Sequence, residues 1–257
     1  MHKLTIVTIN YNNCLGLART CNSILSQSFT EFDWVVIDGG SSDGSLEILS
    51  NEKFDGLRVL SGKDNGIYDA MNKGIDNVTT DFVMFLNSGD TLAEETVMRK
   101  LHKLIDENDL RVTYGNIRIQ SGSRIERHWS SGFINFIKVL FGWHPPHPAT
   151  IYPLESLKKI EGYDEQYSIA ADYDVFLRLY RLGHKFKYID ECITVMEKPG
   201  ASGGSLVQIF RSNLQVLRSW RNTFKFIPLW ILITKPLYKI TQMRPVNLST
   251  VKHEVKK

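Results

Sequence analysis

The chain repeats one pattern, in which a short apolar run is followed by a polar loop and then by apolar residues at helical spacing. Apolar runs occur at residues 4–9, 34–37 and 57–60, and a fourth begins at Phe82 and ends in small polar residues and Asp90. These runs are rich in β-branched and aromatic residues and are too short for typical helices. Such runs are typical of strands buried on both faces. The repeated strand-loop-helix cycle predicts an α/β fold with a mostly parallel central sheet and helices on both faces.

A polar loop follows each predicted strand, and parallel strands bring these loops to one edge of the sheet. The loop residues of interest are Thr8, Tyr11, Asp38, Lys63, Asp64, Ser88 and Asp90. Carboxylates that meet at one edge repel each other unless a cation or hydrogen-bond donors join them. The pattern therefore indicates a site for a metal with a phosphorylated ligand, although Asp90 taken alone fits a helix cap equally well.

The second half of the chain has a different pattern. Residues 112–128 alternate between polar and apolar and predict short strands that form a small antiparallel edge. Apolar residues at helical spacing in 133–141 favour a helix packed on the core over a surface that receives a lipid-linked acceptor. A further amphipathic helix ends at Gly183 and carries Asp172 and Asp174 at its start, where the helix dipole stabilises an acid whatever its function.

The charge of the chain is distributed unevenly. Residues 211–257 hold ten of the 31 Lys and Arg but one of the 28 acids, so an acidic body precedes a basic tail. This predicts that the tail alone meets an anionic surface. Because the chain has no nucleic-acid recognition motif, we expect no nucleic-acid partner. The three cysteines form no close-spaced pair and the first residues enter a strand without a secretion signal, so we expect a cytoplasmic protein.

The tail contains an apolar cluster at residues 224–233, interrupted by Pro228 and stopped by Pro236, with Lys and Arg around it. A membrane-spanning helix needs about 20 apolar residues, so this cluster does not cross a bilayer. The composition favours peripheral attachment to an anionic membrane surface, at the inner face of the plasma membrane. The alternative is packing onto the folded domain or onto a second subunit. The oligomeric state does not follow from the sequence.

Four strings occur in order along the chain: T-I-V-T-I-N-Y-N, W-V-V-I-D-G-G-S-S-D-G-S, D-N-G-I-Y-D-A-M-N-K-G-I and F-L-N-S-G-D. Together they resemble the amino-terminal half of the family 2 glycosyltransferases, and most of all the small bacterial enzymes of capsule, colanic acid and O-antigen assembly. The resemblance runs from about residue 3 to residue 205. It implies a GT-A fold and an inverting transfer from a nucleotide-activated sugar, for which a uridine nucleotide is the default expectation.

The resemblance also assigns the donor side of the site. Thr8 and Tyr11 match positions that line the nucleotide pocket, Asp38 matches the residue that reads the base, and Asp64 matches a nucleoside contact. Ser88, Gly89 and Asp90 match the D-x-D motif, whose last carboxylate binds Mn²⁺ or Mg²⁺ on the diphosphate. Ser88 stands in place of the first Asp, which leaves fewer anionic ligands for the metal.

On the acceptor side, Asp172 matches the catalytic base, and Ala171 stands where many members have Glu. His147 matches a segment beside the active site, where it touches the diphosphate or the acceptor, whereas a lone His in a Pro-rich loop is more often structural. The segment P-G-A-S-G-G-S resembles a loop that closes over the donor, with backbone amides from Gly203 to Ser205, and a plain linker is the alternative.

We therefore predict a glycosyltransferase domain at residues 1–205, with a nucleotide-binding half at 1–110 and an acceptor half at 111–205, and a basic amphipathic extension at 206–257. The predicted reaction moves a sugar from a nucleotide-sugar donor to a lipid-linked saccharide acceptor in bacterial surface polysaccharide biosynthesis. The replacements at Ser88 and Ala171 keep open a catalytically inactive sugar-nucleotide-binding or scaffold subunit as the alternative.

Overall fold

The computed structural model describes residues 2–52, 54–105, 110–122, 124–197 and 206–241. Within these ranges the strands are β1 (Leu4–Asn10), β2 (Asp33–Asp38), β3 (Leu57–Ser61), β4 (Phe82–Phe85), β5 (Thr91–Leu92), β6 (Val112–Ser121), β7 (Arg124–Trp129), β8 (Thr150–Pro153) and β9 (Phe186–Glu197). The helices are α1 (Cys14–Leu25), α2 (Ser45–Asn51), α3 (Ile67–Asp76), α4 (Val97–Leu104), α5 (Phe136–Leu140), α6 (Leu154–Lys159), α7 (Ala171–Arg181), α8 (Leu206–Phe224) and α9 (Ile231–Thr241), and a 3₁₀ turn spans His147–Ala149.

All of these strands belong to one sheet with the order β3-β2-β1-β4-β8-β6-β9-β5, and β7 pairs with β6 outside this row. The first four strands run parallel, as the sequence predicts. β8 lies antiparallel between β4 and β6 and joins the two halves of the chain into one sheet. The mixed α/β architecture confirms the predicted fold class.

The core forms two apolar layers, one on each face of the sheet. Every residue of β1 is buried, and alternate side chains enter opposite layers: Ile6 packs with α1, and Val7 packs with α3. The spacing of apolar residues in α3 places Ala70, Met71 and Ile75 on the buried face of the helix. Helices therefore cover both faces and leave the carboxyl ends of the parallel strands open for a site.

The structure adds detail to two predicted segments. Strand β4 ends at Phe85, and the chain turns at Gly89, which has a φ of 104°, before it resumes as the short strand β5. Asp90 therefore lies past the end of β4, as the sequence predicts, and just before β5. In the region 112–128, β7 pairs antiparallel with β6 and forms the predicted edge, while β6 also pairs in parallel with β9 inside the sheet.

Helix α5 is not the core-packed helix that the sequence favours. Val139 is buried, but Phe133, Phe136 and Ile137 expose 74%, 63% and 66% of their surface. The helix is a single short turn, so its apolar residues surround it instead of forming one stripe.

Two helices form the C-terminal part of the described chain. Helix α9 begins inside the predicted apolar cluster and continues through Pro236 to Thr241, with the loss of the backbone hydrogen bond that proline cannot make. Helix α8 packs against α7, with Val216, Leu217 and Trp220 buried in a third apolar cluster. Residues 242–257, the end of the predicted basic extension, lie outside the described residues.

Candidate active site

The ends of the parallel strands meet in a row of polar residues. The register places Asn10 of β1 opposite Asp38 of β2, and Asp38 opposite Ser61 of β3. The buried Asp38 carboxylate accepts hydrogen bonds from Asn10 Nδ2 at 2.9 Å, Ser61 Oγ at 2.9 Å and Ser41 Oγ at 2.6 Å. Backbone amides of Gly40 and Ser41 complete this shell. Asp38 therefore fixes the loop that follows β2.

These hydrogen bonds decide the protonation of Asp38. Burial alone would raise the pKa of its carboxyl, but the donors from Ser41, Asn10 and Ser61 outweigh burial and lower the pKa below its ordinary value. The group is an anion at neutral pH. The sequence motifs did not identify Asn10 and Ser61, and only the register of the sheet places them beside Asp38.

Tyr11 and Asp64 reach the same place from two other loops. A β-carbon built on Gly39 would lie 2.5 Å from Asp64 Oδ2 and 3.1 Å from the ring of Tyr11. Tyr11 is 64% exposed, so its ring is available to a ligand. The structure thus brings together Tyr11, Asp38 and Asp64. Thr8 is different: it is fully buried, and its hydroxyl accepts the indole N–H of Trp34 at 3.0 Å, so its side chain belongs to the core.

Helix α1 holds the S-G-D segment in place. The amide of Gly89 donates to Thr20 Oγ1 at 3.0 Å, and the Thr20 hydroxyl donates to the backbone carbonyl of Asp90 at 2.7 Å. Asn13 donates its side-chain amide to the carbonyl of Ser88 at 3.0 Å, and Ser88 returns its hydroxyl to the carbonyl of Asn13. The Asp90 carboxyl takes part in none of these bonds.

Burial without a compensating hydrogen bond raises the pKa of the Asp90 carboxyl to about 7. An anion in such a place gains from a cation beside it. The described residues contain no group of three or more His, Cys, Asp or Glu side chains suited to a metal. The donor set therefore fits a divalent ion that takes one protein carboxylate and completes its shell with phosphate oxygens and water, as Mg²⁺ commonly does.

The two acids at the start of α7 differ in their surroundings. Asp174 is buried, and it binds Arg178 Nε at 2.6 Å and the Ser219 hydroxyl at 2.8 Å. Asp172 is half-buried, and its carboxylate accepts the amide of the adjacent Tyr173 at 2.8 Å. Asp174 is thus committed to the fold, while Asp172 retains free acceptor capacity.

Aromatic residues surround Asp172 on one side. Tyr68 and Tyr163 stack with ring centroids 5.8 Å apart, and Tyr163 Oη lies 2.7 Å from His147 Nε2. Burial raises the pKa of the Tyr68 and Tyr152 hydroxyls, and the nearby charge of Asp172 raises both further. These phenols stay protonated at neutral pH. Tyr68 lies in the D-N-G-I-Y-D string, but its proximity to Asp172 requires the fold.

His147 lies inside the core. It is buried, and its ring stacks on Phe85 with centroids 5.4 Å apart. Burial lowers the pKa of His147 against the opposing charge of Asp172, so the ring is neutral at pH 7. This position fits the structural alternative that the sequence left open, and a binding role for His147 stays a prediction. The loop containing Gly203 to Ser205 lies outside the described residues.

The helices that the structure describes include none both long enough and apolar enough to span a membrane.

Comparison with known proteins points to one family. The family model described as glycosyl transferase family 2 matches residues 5–181, which is more than half of the chain. A PGL/p-HBAD biosynthesis glycosyltransferase of Mycobacterium bovis is 28% identical over 184 residues, covering 70% of each chain. The amylovoran biosynthesis glycosyltransferase AmsB of Erwinia amylovora is 28% identical over 204 residues, covering 72% of this chain and 66% of its own.

Solved structures share the fold. Residues 1–349 of S. aureus TarS, in complex with UDP-GlcNAc, match with a TM-score of 0.66 and 19% identity over 90% of this chain and 70% of that one. The mannosyltransferase PcManGT from Pyrobaculum calidifontis, in complex with GDP-Man and Mn²⁺, also gives a TM-score of 0.66, with 12% identity over 98% of this chain and 79% of that one. At these identities, both comparisons show a shared fold.

Proposed function

Because the chain belongs to glycosyl transferase family 2, we propose that it is an inverting, metal-dependent transferase of surface polysaccharide biosynthesis. It takes a sugar from a nucleotide-sugar donor, with a uridine nucleotide as the first expectation, and moves it to a lipid-linked saccharide. The observation that carries this proposal is the contrast between Asp174, which is fully bonded within the fold, and Asp172, which is not.

The donor nucleotide binds at the ends of β1, β2 and β3. The exposed ring of Tyr11 and the carboxylate of Asp64 converge over Gly39, which has no side chain to obstruct a flat base. Asp38 shapes the loop beneath them through its five hydrogen bonds. This arrangement supports roles for Tyr11 and Asp64 in direct contact with the nucleoside.

Ser88, Gly89 and Asp90 form the site for the diphosphate of the donor. Mn²⁺ or Mg²⁺ bound there supplies positive charge that stabilises the departing nucleoside diphosphate. The half-buried carboxyl of Asp90, whose pKa desolvation raises, supports this assignment because a cation would stabilise its anionic form. Thr20 and Asn13 keep the segment in position from α1.

Asp172 acts as the general base. Its carboxylate takes the proton of the acceptor hydroxyl while that oxygen forms a bond to the anomeric carbon on the face opposite the diphosphate. The bond from the anomeric carbon to the diphosphate oxygen breaks in the same displacement, and the nucleoside diphosphate leaves with the electron pair. One carboxylate is enough, and the configuration is inverted.

The test measures release of nucleoside diphosphate from a panel of sugar nucleotides with Mn²⁺ or Mg²⁺ and a membrane extract as the acceptor. Asp172→Asn is expected to bind the donor normally and to lose turnover by at least about a hundredfold, whereas Asp90→Ala loses metal-dependent release. Asp76→Asn, an exposed acid at the end of α3, is the matched control. Equal loss of donor binding and turnover in Asp172→Asn would contradict the role of Asp172 as the base. If the wild type binds the donor but does not turn it over, the chain would instead be a catalytically inactive sugar-nucleotide-binding subunit.

We propose further that α5 and α9 attach the protein to the inner face of the plasma membrane. Trp230 Nε1 donates to the carbonyl of Leu140 at 3.0 Å, and Thr234 Oγ1 donates to the carbonyl of Phe141 at 3.1 Å. The two helices are therefore fastened together. Their exposed apolar residues form one lipid-facing surface, which consists of Phe133, Phe136, Ile137, Leu229, Ile233 and Leu237.

The charge around the lipid-facing surface suits an anionic bilayer. Neither residues 130–149 nor residues 206–241 contain an acid, and Lys138 and the exposed Lys225 are close in sequence to the apolar residues. The ammonium of Lys235 instead lies over the ring of the buried Tyr173, 5.0 Å from its centre. Each such cation near a membrane surface contributes about 1 kcal/mol. These features support an interfacial attachment rather than a span.

The membrane test compares flotation with vesicles of phosphatidylglycerol and with vesicles of phosphatidylcholine. The double variant Phe136→Glu with Ile233→Glu is expected to lose binding to the anionic vesicles, because two charges enter the lipid-facing surface. Leu110→Glu introduces a charge at an exposed apolar residue elsewhere and is expected to bind as the wild type does. Unchanged flotation of the double variant would rule out this surface.

A further inference from the structure

Strand β7 carries two side chains whose polar atoms are buried without partners. Arg127 Nε and Nη2, and Trp129 Nε1, have no hydrogen-bond acceptor among the residues that the structure describes. The Arg127 guanidinium carbon lies 5.2 Å from the centre of the Trp129 ring, so the two side chains lie together. Arg127, His128 and Trp129 are all half-buried, whereas Arg124 and Glu126 earlier on the strand are exposed.

The fold gives no reason for these unpaired groups. A buried donor without an acceptor destabilises a protein, and a buried charge without a partner does so more strongly. Burial lowers the pKa of the Arg127 guanidinium, and its neighbour across the strand pair is the apolar Ile119. All three unpaired atoms are donors. The complementary ligand therefore has acceptor oxygens, and a guanidinium fork matches the oxygens of a carboxylate or a phosphate.

The sheet register relates Arg127 to the proposed metal carboxylate. Arg127 pairs with Ile119, Ile119 pairs with Met196, and Val195 pairs with Thr91. Continuing the last register by one residue places Asp90 opposite Met196. Arg127 and Asp90 thus lie in one row across the sheet, separated by three strand spacings or about 14 Å between their Cα atoms.

A second set of contacts relates Trp129 to the proposed base. The Trp129 ring meets His144 edge to face with centroids 5.9 Å apart, and His144 meets Tyr173 with centroids 5.0 Å apart. Tyr173 is the residue next to Asp172. These ring contacts connect Trp129 through His144 to Tyr173, at the start of the helix that carries Asp172.

We propose that Arg127 and Trp129 form a subsite for an anionic group, a phosphate or a carboxylate, on the acceptor. The Arg127 fork binds the oxygens of this group, the Trp129 N–H donates to one of them, and the indole ring offers a face against a sugar ring. This inference rests on the proposed function, since the acceptor hydroxyl must reach Asp172. It narrows the acceptor to a saccharide that carries a negative charge near the attacking hydroxyl.

The test titrates glucose 1-phosphate, glucuronate and glucose into the full-length protein by calorimetry, with and without saturating UDP and Mn²⁺. We expect the wild type with UDP to bind one of the two anionic sugars at least about tenfold more tightly than glucose, the difference that hydrogen bonds to a charged group give. The preferred anion identifies the group as phosphate or carboxylate. UDP binding itself is measured first, so a failure of the proposed function is seen separately from a failure of the subsite.

Three variants complete the test. Arg127→Gln is expected to weaken anion binding about tenfold or more and to raise the apparent KM for the membrane-extract acceptor, with UDP affinity retained. Trp129→Phe keeps the ring and removes the N–H, so it gives a smaller loss and remains informative if Arg127→Gln does not fold. Arg124→Gln, an exposed arginine on the same strand, is expected to match the wild type. Equal anion affinity in Arg127→Gln and the wild type, or no preference for the anions over glucose, would overturn the proposal.

Discussion

Ser219 of α8 donates its hydroxyl to Asp174 of α7 at 2.8 Å, in the helix that begins with the proposed base. Trp220 adds a second bond, from its indole N–H to the Tyr173 hydroxyl at 2.9 Å. Gln215 Oε1 accepts the amides of Ile169 and Ala170 just before α7. Helix α8 therefore supports the start of α7 from behind, although the sequence groups α8 with the basic extension.

This relationship predicts the effect of Ser219→Ala. The change leaves the buried Asp174 with one hydrogen bond fewer, which is expected to lower the free energy of unfolding by about 1 to 3 kcal/mol. Urea denaturation measures the loss. Ser212→Ala on the same helix is the control and is expected to stay within about 0.5 kcal/mol of the wild type. An unchanged unfolding midpoint for Ser219→Ala would show that α8 does not hold α7 through this bond.

Gly39→Ala is expected to impair nucleotide binding. The added methyl group would lie 2.5 Å from Asp64 Oδ2, so the Asp64 side chain must move out of the cleft between Tyr11 and Gly39. We expect the Kd for UDP to rise by about tenfold, the effect of losing one charged hydrogen bond. Gly62→Ala is the control, because a β-carbon there meets nothing within 4 Å. Similar UDP affinity in both variants would mean that Asp64 does not contact the nucleotide.

The pKa of Asp38 predicts an acid dependence of stability. Its pKa is lower in the folded protein than the ordinary value of about 3.9 for an unfolded chain, because Ser41, Asn10 and Ser61 donate to the anion more strongly than burial disfavours it. The unfolded state therefore binds this proton first as the pH falls. The contribution of Asp38 to stability is full above about pH 4 and disappears below it.

The measurement is urea unfolding of the wild type and Asp38→Asn between pH 7 and pH 3. The variant is expected to be less stable at pH 7 by about 1 to 3 kcal/mol, and the difference between the two proteins shrinks as the pH approaches 3. Asp76→Asn serves as the exposed control. A difference that stays constant over the whole range would show that the Asp38 charge does not stabilise the loop.

Asp90 predicts the opposite pH dependence. The pKa of its carboxyl is about 7 in the metal-free folded protein, which is above the value in the unfolded chain. The folded state therefore keeps the proton to a higher pH, and the contribution of Asp90 to the free energy of unfolding falls as the pH rises toward 7. Asp90→Asn is therefore expected to unfold at a higher urea concentration than the wild type at pH 8 without metal. A divalent ion needs the anion, so Mn²⁺ affinity of the wild type should rise about tenfold per pH unit below 7 and level off above it.

Titration of Mn²⁺ by electron paramagnetic resonance at pH 6, 7 and 8 checks the second effect. Asp90→Asn supplies the background of sites unrelated to Asp90. A wild-type affinity that does not change between pH 6 and pH 8 would contradict the assignment of Asp90 as the metal ligand.

The sequence predicted the first half of the fold well, because local patterns of apolar residues determine the strands and helices there. Alternating apolar runs and helical spacings mark β1 to β3 and α1 to α3, and parallel topology brings Asp38 and Asp64 to one edge. The choice of Asp172 over Asp174 came from the family motif. Two contacts support this prediction: the ion pair of Asp174 with Arg178, which is local to α7, and the bond from Ser219, which depends on the packing of α8 against α7.

Other features depend on long-range pairing that no local pattern encodes. Thr8 matches a pocket position, yet the alternation along β1 turns it toward Trp34. Arg127 has the pattern of an ordinary residue of an edge strand until the pairing of β6 with β9, and of β9 with β5, aligns it with Asp90. The exposed α5 looked like a core helix because its composition is apolar, and composition does not say which neighbours are present.

The position of β8 has a consequence for how the chain folds during synthesis. β4 pairs with β1 on one side and with β8 on the other, and β8 follows it only after α4, β6, β7 and α5 have been made. Until then, the hydrogen-bonding edge of β4 is open to other chains. A nascent chain released near residue 110 would carry a nearly complete parallel sheet with an unprotected apolar margin. Such a chain would tend to aggregate, so residues 1–110 depend on the later strand β8 for their solubility.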